Sequence, residues 1–351
     1  MTERLYLDHA ATTPVVPAAR AALVDGLLRW ANPSSPHAEG RAARAALEDA
    51  RARICASLGW PHELIFTSGA SEAIAIALGT DKADAVIIGA TEHDAVHRAQ
   101  PDAYFLAVGS DGVIASDALA GRLGALGAAR PLVAIQSVNN ETGVLQPLYQ
   151  LAPIAARSGA MLLADCSQSA GKLPLPDADM IAISAHKLGG PPGIGALLVK
   201  DLGALKPSGG QERGYRGGTE NLPGALGFAA ALEANRGWLD RAADLRAHLD
   251  GAIEAAGGEA VARTTPRIAT IASYRMPGVA AAAQLIQFDM AGISVSAGSA
   301  CSSGTLRSSP VLGAMGWDEK TASEVVRVSF GPDTSRADVY RFIDAWKRIA
   351  K

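Results

Sequence analysis

The sequence is sparing with the residues that cross-link, anchor or charge a protein. Only three cysteines occur in 351 residues, Cys55, Cys166 and Cys301, far apart and without a CxxC pair. That excludes a disulfide framework and a paired-cysteine metal site, and no metal is expected. No run approaches the roughly 18 consecutive apolar residues of a membrane-spanning helix. Residues 1–8 carry charge and then read as a strand, without the basic head, apolar run and small-residue cleavage site of a secretory leader. An excess of one charge is missing too: 32 Lys+Arg stand against 35 Asp+Glu, for a net charge of −3. No concentrated basic surface is therefore expected, which argues against nucleic acid as the main partner. What is present is apolar: hydrophobic residues make up 48% of the chain, enough for two domains or one large one. The expectation is a reduced, globular, cytoplasmic protein.

Short apolar runs alternate with helical patterns. Leu64-Ile65-Phe66, Val86-Ile87-Ile88, Tyr104-Phe105-Leu106, Leu132-Val133-Ala134-Ile135, Met161-Leu162-Leu163-Ala164, Met180-Ile181-Ala182-Ile183 and Gly195-Ala196-Leu197-Leu198-Val199 form the series. Helical segments are predicted at 17–30, 37–58, 71–78 and 147–157. Runs apolar throughout and separated by helices suit a mostly parallel sheet covered on both faces, an α/β fold. After a Gly-, Arg- and Glu-rich loop at 206–221, one long helical pattern spans about 222–256. Strands and helices then mix from Arg267-Ile268-Ala269-Thr270-Ile271 to a terminal helix at 335–350, as in a smaller α+β domain.

In open α/β sheets ligands bind beyond the carboxyl ends of the strands. Polar clusters follow four of the runs: Thr67-Ser68-Gly69-Ala70-Ser71, Asn139-Asn140-Glu141, Asp165-Cys166-Ser167-Gln168 and Ser184-Ala185-His186-Lys187. Lysine is scarce, with eight in the chain. Seven of them, Lys172 included, lie in turn or terminal contexts and read as solvated. Lys187 follows a buried-type strand, where a desolvated amine loses its proton readily and becomes nucleophilic. Asp165 ends the neighbouring run and suits the protonated ring nitrogen of pyridoxal phosphate (PLP), which makes PLP the leading cofactor. Ala70 and Ser71 open a helix whose N-terminal N–H groups suit a phosphate, with Ser184 and His186 close by in sequence. His93, after Val86-Ile87-Ile88, is placed to stack on an aromatic ring or to carry a proton; alone, it reads as well as a structural hydrogen-bonder. Cys301 lies in a Gly/Ser-rich stretch with nothing to bury it, so an accessible thiolate able to reach a bound ligand is expected. Cys55 reads as core, and Cys166 as either ring contact or packing. The glycines at 190–195 make a poor dinucleotide loop, since they follow no first strand.

With these residues in view, the sequence resembles the cysteine desulfurases of the class V aminotransferase group, in their NifS/IscS-like branch. The resemblance spans nearly the whole chain. It rests on Tyr6-Leu7-Asp8-His9-Ala10-Ala11-Thr12-Thr13, Asn32-Pro33-Ser34-Ser35, Phe66-Thr67-Ser68-Gly69-Ala70-Ser71-Glu72 and Asn139-Asn140-Glu141-Thr142-Gly143. It continues through His186-Lys187, the stretch from Gly209 to Asn221 and Gly298-Ser299-Ala300-Cys301-Ser302-Ser303-Gly304.

The resemblance implies PLP fold-type I, with an N-terminal segment (1–15) joining the small domain, a PLP-binding large domain (16–240) and a small C-terminal domain (241–351). It implies conversion of L-cysteine to L-alanine, with a persulfide left on Cys301 as sulfur donor for iron–sulfur cluster assembly. Selenocysteine lyase, a tRNA-thiolation donor and an inactive scaffold on the same fold are the alternatives. By motif, Lys187 holds PLP and moves the Cα proton, Asp165 pairs with the ring nitrogen, and His93 stacks on the ring. Gln168 and Asn140 contact the ring hydroxyl side, while Ala70, Ser71, Ser184 and His186 hold the phosphate. Thr219 reaches the phosphate of a neighbouring subunit, implying a homodimer. Arg327 and Asn32 bind substrate, the arginine as a fork for its carboxylate. Three departures stand out. Ser71 replaces the family's usual Thr, Pro332 stands where many relatives carry a second Arg, and the C-terminal tail that docks an iron–sulfur scaffold is expected to be missing.

Overall fold

The structure is a computed structural model that describes residues 4–80, 82–127, 129–234, 237–298 and 309–351. The chain begins with β1 (Leu5–Tyr6), α1 (Pro17–Leu28), α2 (Ala38–Leu58), β2 (Glu63–Thr67), α3 (Ala70–Leu78), β3 (Ala85–Gly89) and α4 (Asp94–Ala99). It continues with β4 (Tyr104–Leu106), α5 (Ser116–Leu126), β5 (Pro131–Gln136), α6 (Leu148–Arg157), β6 (Met161–Asp165), β7 (Met180–Ser184) and β8 (Gly195–Val199). Next come α7 (Leu222–Ala234), α8 (Leu239–Ala255), β9 (Glu259–Ala260), β10 (Ile271–Arg275), α9 (Ala281–Met290) and β11 (Ile293–Ser294). The last elements are α10 (Pro310–Ala314), α11 (Glu319–Ala322), β12 (Val325–Ser329) and α12 (Arg336–Ile349).

The apolar runs form one seven-stranded sheet in the order β2-β8-β7-β6-β5-β3-β4. Only β8 runs against its neighbours, antiparallel to both β2 and β7. The sheet is therefore mostly parallel, and β2, β7, β6, β5 and β3 end on one edge. Side chains alternate between faces with a period of two. One face sends Phe66, Ile87, Val133, Ile135, Ala164 and Ile183 into a core closed by residues of α1, α2, α5, α6 and α7. The other sends Ile65, Ile88, Leu132, Ala134, Leu163 and Leu197 against α3 and α4. Burial on both faces is why these strands read as unbroken apolar runs.

A second core gathers Leu5 and Leu7 with residues from Trp238 to Trp346. Its antiparallel sheet, β12-β10-β9, packs with α8, α9 and α12, and β1 pairs in parallel with β11. Two expectations change here. The helical pattern at 222–256 is two helices, because Gly237 takes a left-handed φ of 77° between them. The all-round apolar α7 serves the first core, and the one-sided α8 serves the second. The strand expected from Arg267 begins only at Ile271. Residues 266–268 are held instead to the turn after β5, through Leu145 N to Pro266 O and Ile268 N to Gly143 O. Among the described residues no helix is long and apolar enough to cross a membrane.

Candidate active site

The four polar clusters emerge at the shared carboxyl edge of the sheet, after β2, β5, β6 and β7, and His93 follows β3 nearby. What closes over them is the N-terminal segment. It leaves β1, forms a bridge between Asp8 and Ser329 on β12, and crosses to the turn after β7, where Thr13 N bonds His186 O at 2.8 Å. Its carbonyls seize the lysine: Lys187 Nζ donates to Ala10 O at 2.6 Å and Ala11 O at 2.9 Å. Burial pulls the Lys187 amine down from 10.5 to about 8, with the Arg327 charge adding to the effect and Asp165 and Asp8 opposing it. The same burial and the nearby Lys187 hold His186 down at about 4.

Arg327, on β12, is nearly buried. Its Nη2 donates to Asp8 Oδ1 at 2.7 Å and its Nη1 to Asn140 O at 2.9 Å, while the buried Nε has no partner. A guanidinium with one fork direction unused and a single carboxylate neighbour is suited to a second carboxylate. Gln168 donates from Nε2 to Ala10 O at 2.9 Å, leaving its buried Oε1 unpaired and ready to accept from a hydroxyl. Asp165 Oδ1 is oriented by Ser167 N at 2.9 Å and Ser167 Oγ at 2.5 Å.

At the end of β2, α3 begins at Gly69 with no side-chain cap, so neither Ser68 nor Ser71 serves as one. Ala70 and Ser71 open the helix, and its first N–H groups are free for an anion. Ser184 Oγ lies 3.5 Å from where a Gly69 Cβ would stand. His93 caps α4: its Nδ1 accepts from Ala95 N at 3.1 Å. Burial lowers its pKa, with Asp165 opposing and Lys187 adding, and because Nδ1 accepts from Ala95 N the ring hydrogen sits on Nε2. A proton-accepting role for His93 therefore requires giving up that cap; presenting a ring face and an N–H does not.

Some readings gain definition and others change. Cys166 is packing: burial pushes its thiol up to about 12, far from a thiolate at neutral pH. Cys55 is half-buried on α2. Lys172 is not solvated, contrary to the expectation. It is partly buried beneath Gln168, donates to Gln168 O at 3.1 Å, and is lowered to about 8 by burial and by Lys187. Turn composition around it concealed a fold-back onto the site. Asn32 and Thr219 are exposed and make no hydrogen bond to the Lys187 cluster within one chain. Cys301 lies outside the described residues. Sequence reasoning passed over Asp8, the Ala10 and Ala11 carbonyls and Glu92. Glu92 is a buried carboxyl that accepts from Gln136 N at 2.9 Å and is raised well above the carboxylate range by burial, with the Asp165 charge adding. The adjoining motif residues were the available signal for Asp8 and Glu92; backbone carbonyls leave none.

The assembly amounts to an amine primed for attack, an anion cradle, an unpaired acceptor, an imidazole face and a carboxylate fork. Those features suit a phosphorylated aromatic aldehyde and a substrate bearing a carboxylate. Comparison with known proteins shows the family. The Aminotransferase class-V family matches residues 5–342. A protein named cysteine desulfurase from Gluconacetobacter diazotrophicus is 36% identical over 377 residues, covering 98% of this chain and 93% of its own. The X-ray structure of a NifS-like protein from Rickettsia africae superposes with a TM-score of 0.91 at 28% identity, covering 99% of both chains. A structure titled SspA in complex with cysteine superposes with a TM-score of 0.81 at 27% identity, covering 94% of this chain and all of that one.

Proposed function

The chain belongs to the class-V aminotransferase family, among its cysteine desulfurases, and from that we propose that it takes L-cysteine to L-alanine and leaves the sulfur as a persulfide on Cys301. The observation that carries the reading is the convergence on one strap: residues 8–11 bind both the Lys187 amine and the Arg327 guanidinium. An amine and a carboxylate fork referenced to the same four residues suit an amino-acid substrate held at its carboxylate while its α-carbon faces the lysine.

PLP fits the residues present. Lys187 would hold it, with Asp165 at the ring nitrogen, Gln168 Oε1 and Asn140 on the hydroxyl side, and His93 against the ring. Ala70, Ser71, Ser184 and His186 would take the phosphate. Bound there, it supplies a sink for the electron pair left on Cα, which weakens the substrate Cβ–Sγ bond. Arg327 fixes the carboxylate, and Lys187, with its lowered pKa, accepts and returns the Cα proton. The Cys301 thiolate forms an S–S bond to the substrate sulfur as the C–S bond breaks. Cβ keeps the bonding pair and is protonated, so cysteine plus thiol become alanine plus persulfide.

The proposal includes a second copy of the chain. Thr219 and Asn32 face solvent, and the end of α1 exposes Leu27, Leu28 and Trp30, at 62%, 76% and 80%, beside Asn32. A homodimer covers that apolar edge and lets Thr219 reach the partner's phosphate. An iron–sulfur scaffold is the proposed sulfur acceptor, and the cytoplasm the proposed compartment.

The test is alanine and sulfide production from L-cysteine against L-selenocysteine, with mass spectrometry of Cys301. A persulfide there that disappears in Cys301→Ala, together with lost sulfide release and retained PLP absorbance, is expected. Unchanged turnover in that variant removes Cys301 as sulfur acceptor.

A further inference from the structure

The turn after β5 contains a carboxyl group that the chemistry above does not use. Glu141 is buried, its N–H is fixed by Asn139 Oδ1 at 2.9 Å, and its carbonyl accepts from Ser273 Oγ at 2.8 Å. Its side chain meets two residues distant from it in sequence. Ser309 Oγ donates to Glu141 Oε2 at 2.5 Å. Gly298 lies against the same carboxyl so closely that an added Cβ would stand 2.7 Å from Glu141 Cδ. Gly298 and Ser309 are the described residues that bracket 299–308, the stretch containing Cys301. One carboxyl group therefore touches both ends of the thiol-bearing stretch.

The same turn and strand carry the rest of the frame. Asn140 O, one residue before Glu141, receives Arg327 Nη1 at 2.9 Å. Just before Gly298, Ser296 pairs with Arg327 itself, through Ser296 N to Arg327 O at 3.3 Å and Arg327 N to Ser296 O at 2.6 Å. Ser309 also caps α10, accepting from Leu312 N at 3.1 Å, so the far end of the stretch is fixed by its own helix as well as by Glu141. Burial raises the Glu141 carboxyl, with the Ser309 bond and Arg327 opposing. Burying a carboxyl is costly unless it is hydrogen-bonded, and Ser309 supplies that bond here.

We propose that Glu141 is a positioning residue for sulfur transfer: by gripping Gly298 and Ser309 it holds both roots of the Cys301 stretch in register with the carboxylate fork at Arg327. The proposal rests on the desulfurase reading and assigns Glu141 no contact with substrate or cofactor. A reacting atom displaced by about 1 Å loses on the order of 100-fold in rate, so the effect belongs in kcat and not in substrate binding.

The experiment uses the PLP-loaded full chain as wild type, Glu141→Ala, Glu141→Gln and Ser309→Ala. Cofactor absorbance, KM for L-cysteine, kcat for alanine and persulfide on Cys301 are read in each. Glu141→Ala is expected to keep the cofactor absorbance and a KM within about threefold, while kcat falls by between about 10- and 100-fold. Glu141→Gln keeps an oxygen that accepts from Ser309 and is expected to recover most of kcat. Ser309→Ala is expected to lower kcat by a smaller factor at constant KM. Turnover within threefold of wild type in Glu141→Ala overturns the proposal, as does loss of cofactor or an equal change in KM and kcat. If Glu141→Ala does not fold, an unaltered kcat in Ser309→Ala overturns it. A wild type that forms alanine and persulfide beside an unimpaired Glu141→Ala removes the Glu141 assignment alone; a wild type that forms neither removes the underlying function.

Discussion

The lowered pKa of Lys187 sets a measurable rate. An amine attacks an aldehyde only when neutral. One that titrates at about 8 is neutral in roughly one molecule in eleven at pH 7, whereas one at 10.5 is neutral in roughly one in three thousand. Covalent capture of PLP by the cofactor-free protein should therefore be about 300-fold faster at pH 7 than by an unperturbed amine of equal reactivity, a difference worth about 3 kcal/mol. The assay follows visible absorbance after mixing from pH 6 to 10, with each rate divided by that of an alkoxyamine, whose nitrogen stays neutral over that range, to cancel titrations of the aldehyde reagent. Uptake should climb tenfold per pH unit up to about 7.5 and level off above 8. Arg327→Gln removes a positive neighbour and releases Asp8, both of which raise the amine pKa, so its plateau should move to higher pH. The stability consequence has a definite sign. With the folded pKa below the unfolded one, the cofactor-free chain carries a penalty that is fully present below about 8 and is relieved as pH rises towards 10.5. A capture rate that keeps rising without a bend to pH 10 refutes the account of Lys187.

Cys166→Ala should retain turnover within about twofold, and native Cys166 should resist iodoacetamide until denaturant is added, because its thiol is buried and titrates at about 12; labelling of Cys166 in the native protein contradicts this. Gly195→Ala would place a Cβ 2.5 Å from Ile183 O and 2.7 Å from Gly69 Cα. It should push the Gly69 turn outward and weaken PLP binding by about tenfold or more, as read by equilibrium titration, since about 1.4 kcal/mol of misfit is enough. Gly331→Ala drives a methyl group into the His9 ring and should cost about 1–3 kcal/mol in a denaturant melt. An unchanged midpoint would show that His9 has room to move.

The sheet was legible because burial on both faces leaves an unmistakable mark: each run from Leu64 to Val199 became a strand at nearly its expected limits. The carboxyl-edge rule then placed Asp165, Ser184 and Lys187 on one side without any knowledge of tertiary contacts. Most of what stayed hidden was determined by contacts between residues distant in sequence. Lys172 looked like a turn lysine, and only the packing that brings it near His9 and Lys187 shows that it is enclosed. The break at Gly237 was masked by helix-forming residues on both sides. Glu141 resembled any polar residue after a strand, because the residues its side chain meets, Gly298 and Ser309, lie more than 150 positions away. Asp8 and the Ala10 and Ala11 carbonyls act through backbone route and proximity, which residue type does not encode.

The pairing of β1 with β11 joins Leu5 to Ile293 in a parallel ladder. A ribosome adding about 5–20 residues per second needs roughly 15–60 s to deliver the second strand after the first. Until then the strap that clasps the lysine has no anchor at its outer end, even though the large sheet is already complete. Biogenesis is therefore split: the cradle forms during translation, while competence to bind an amino acid arrives only near chain release. A nascent chain stalled before residue 293 would carry the sheet without its clasp.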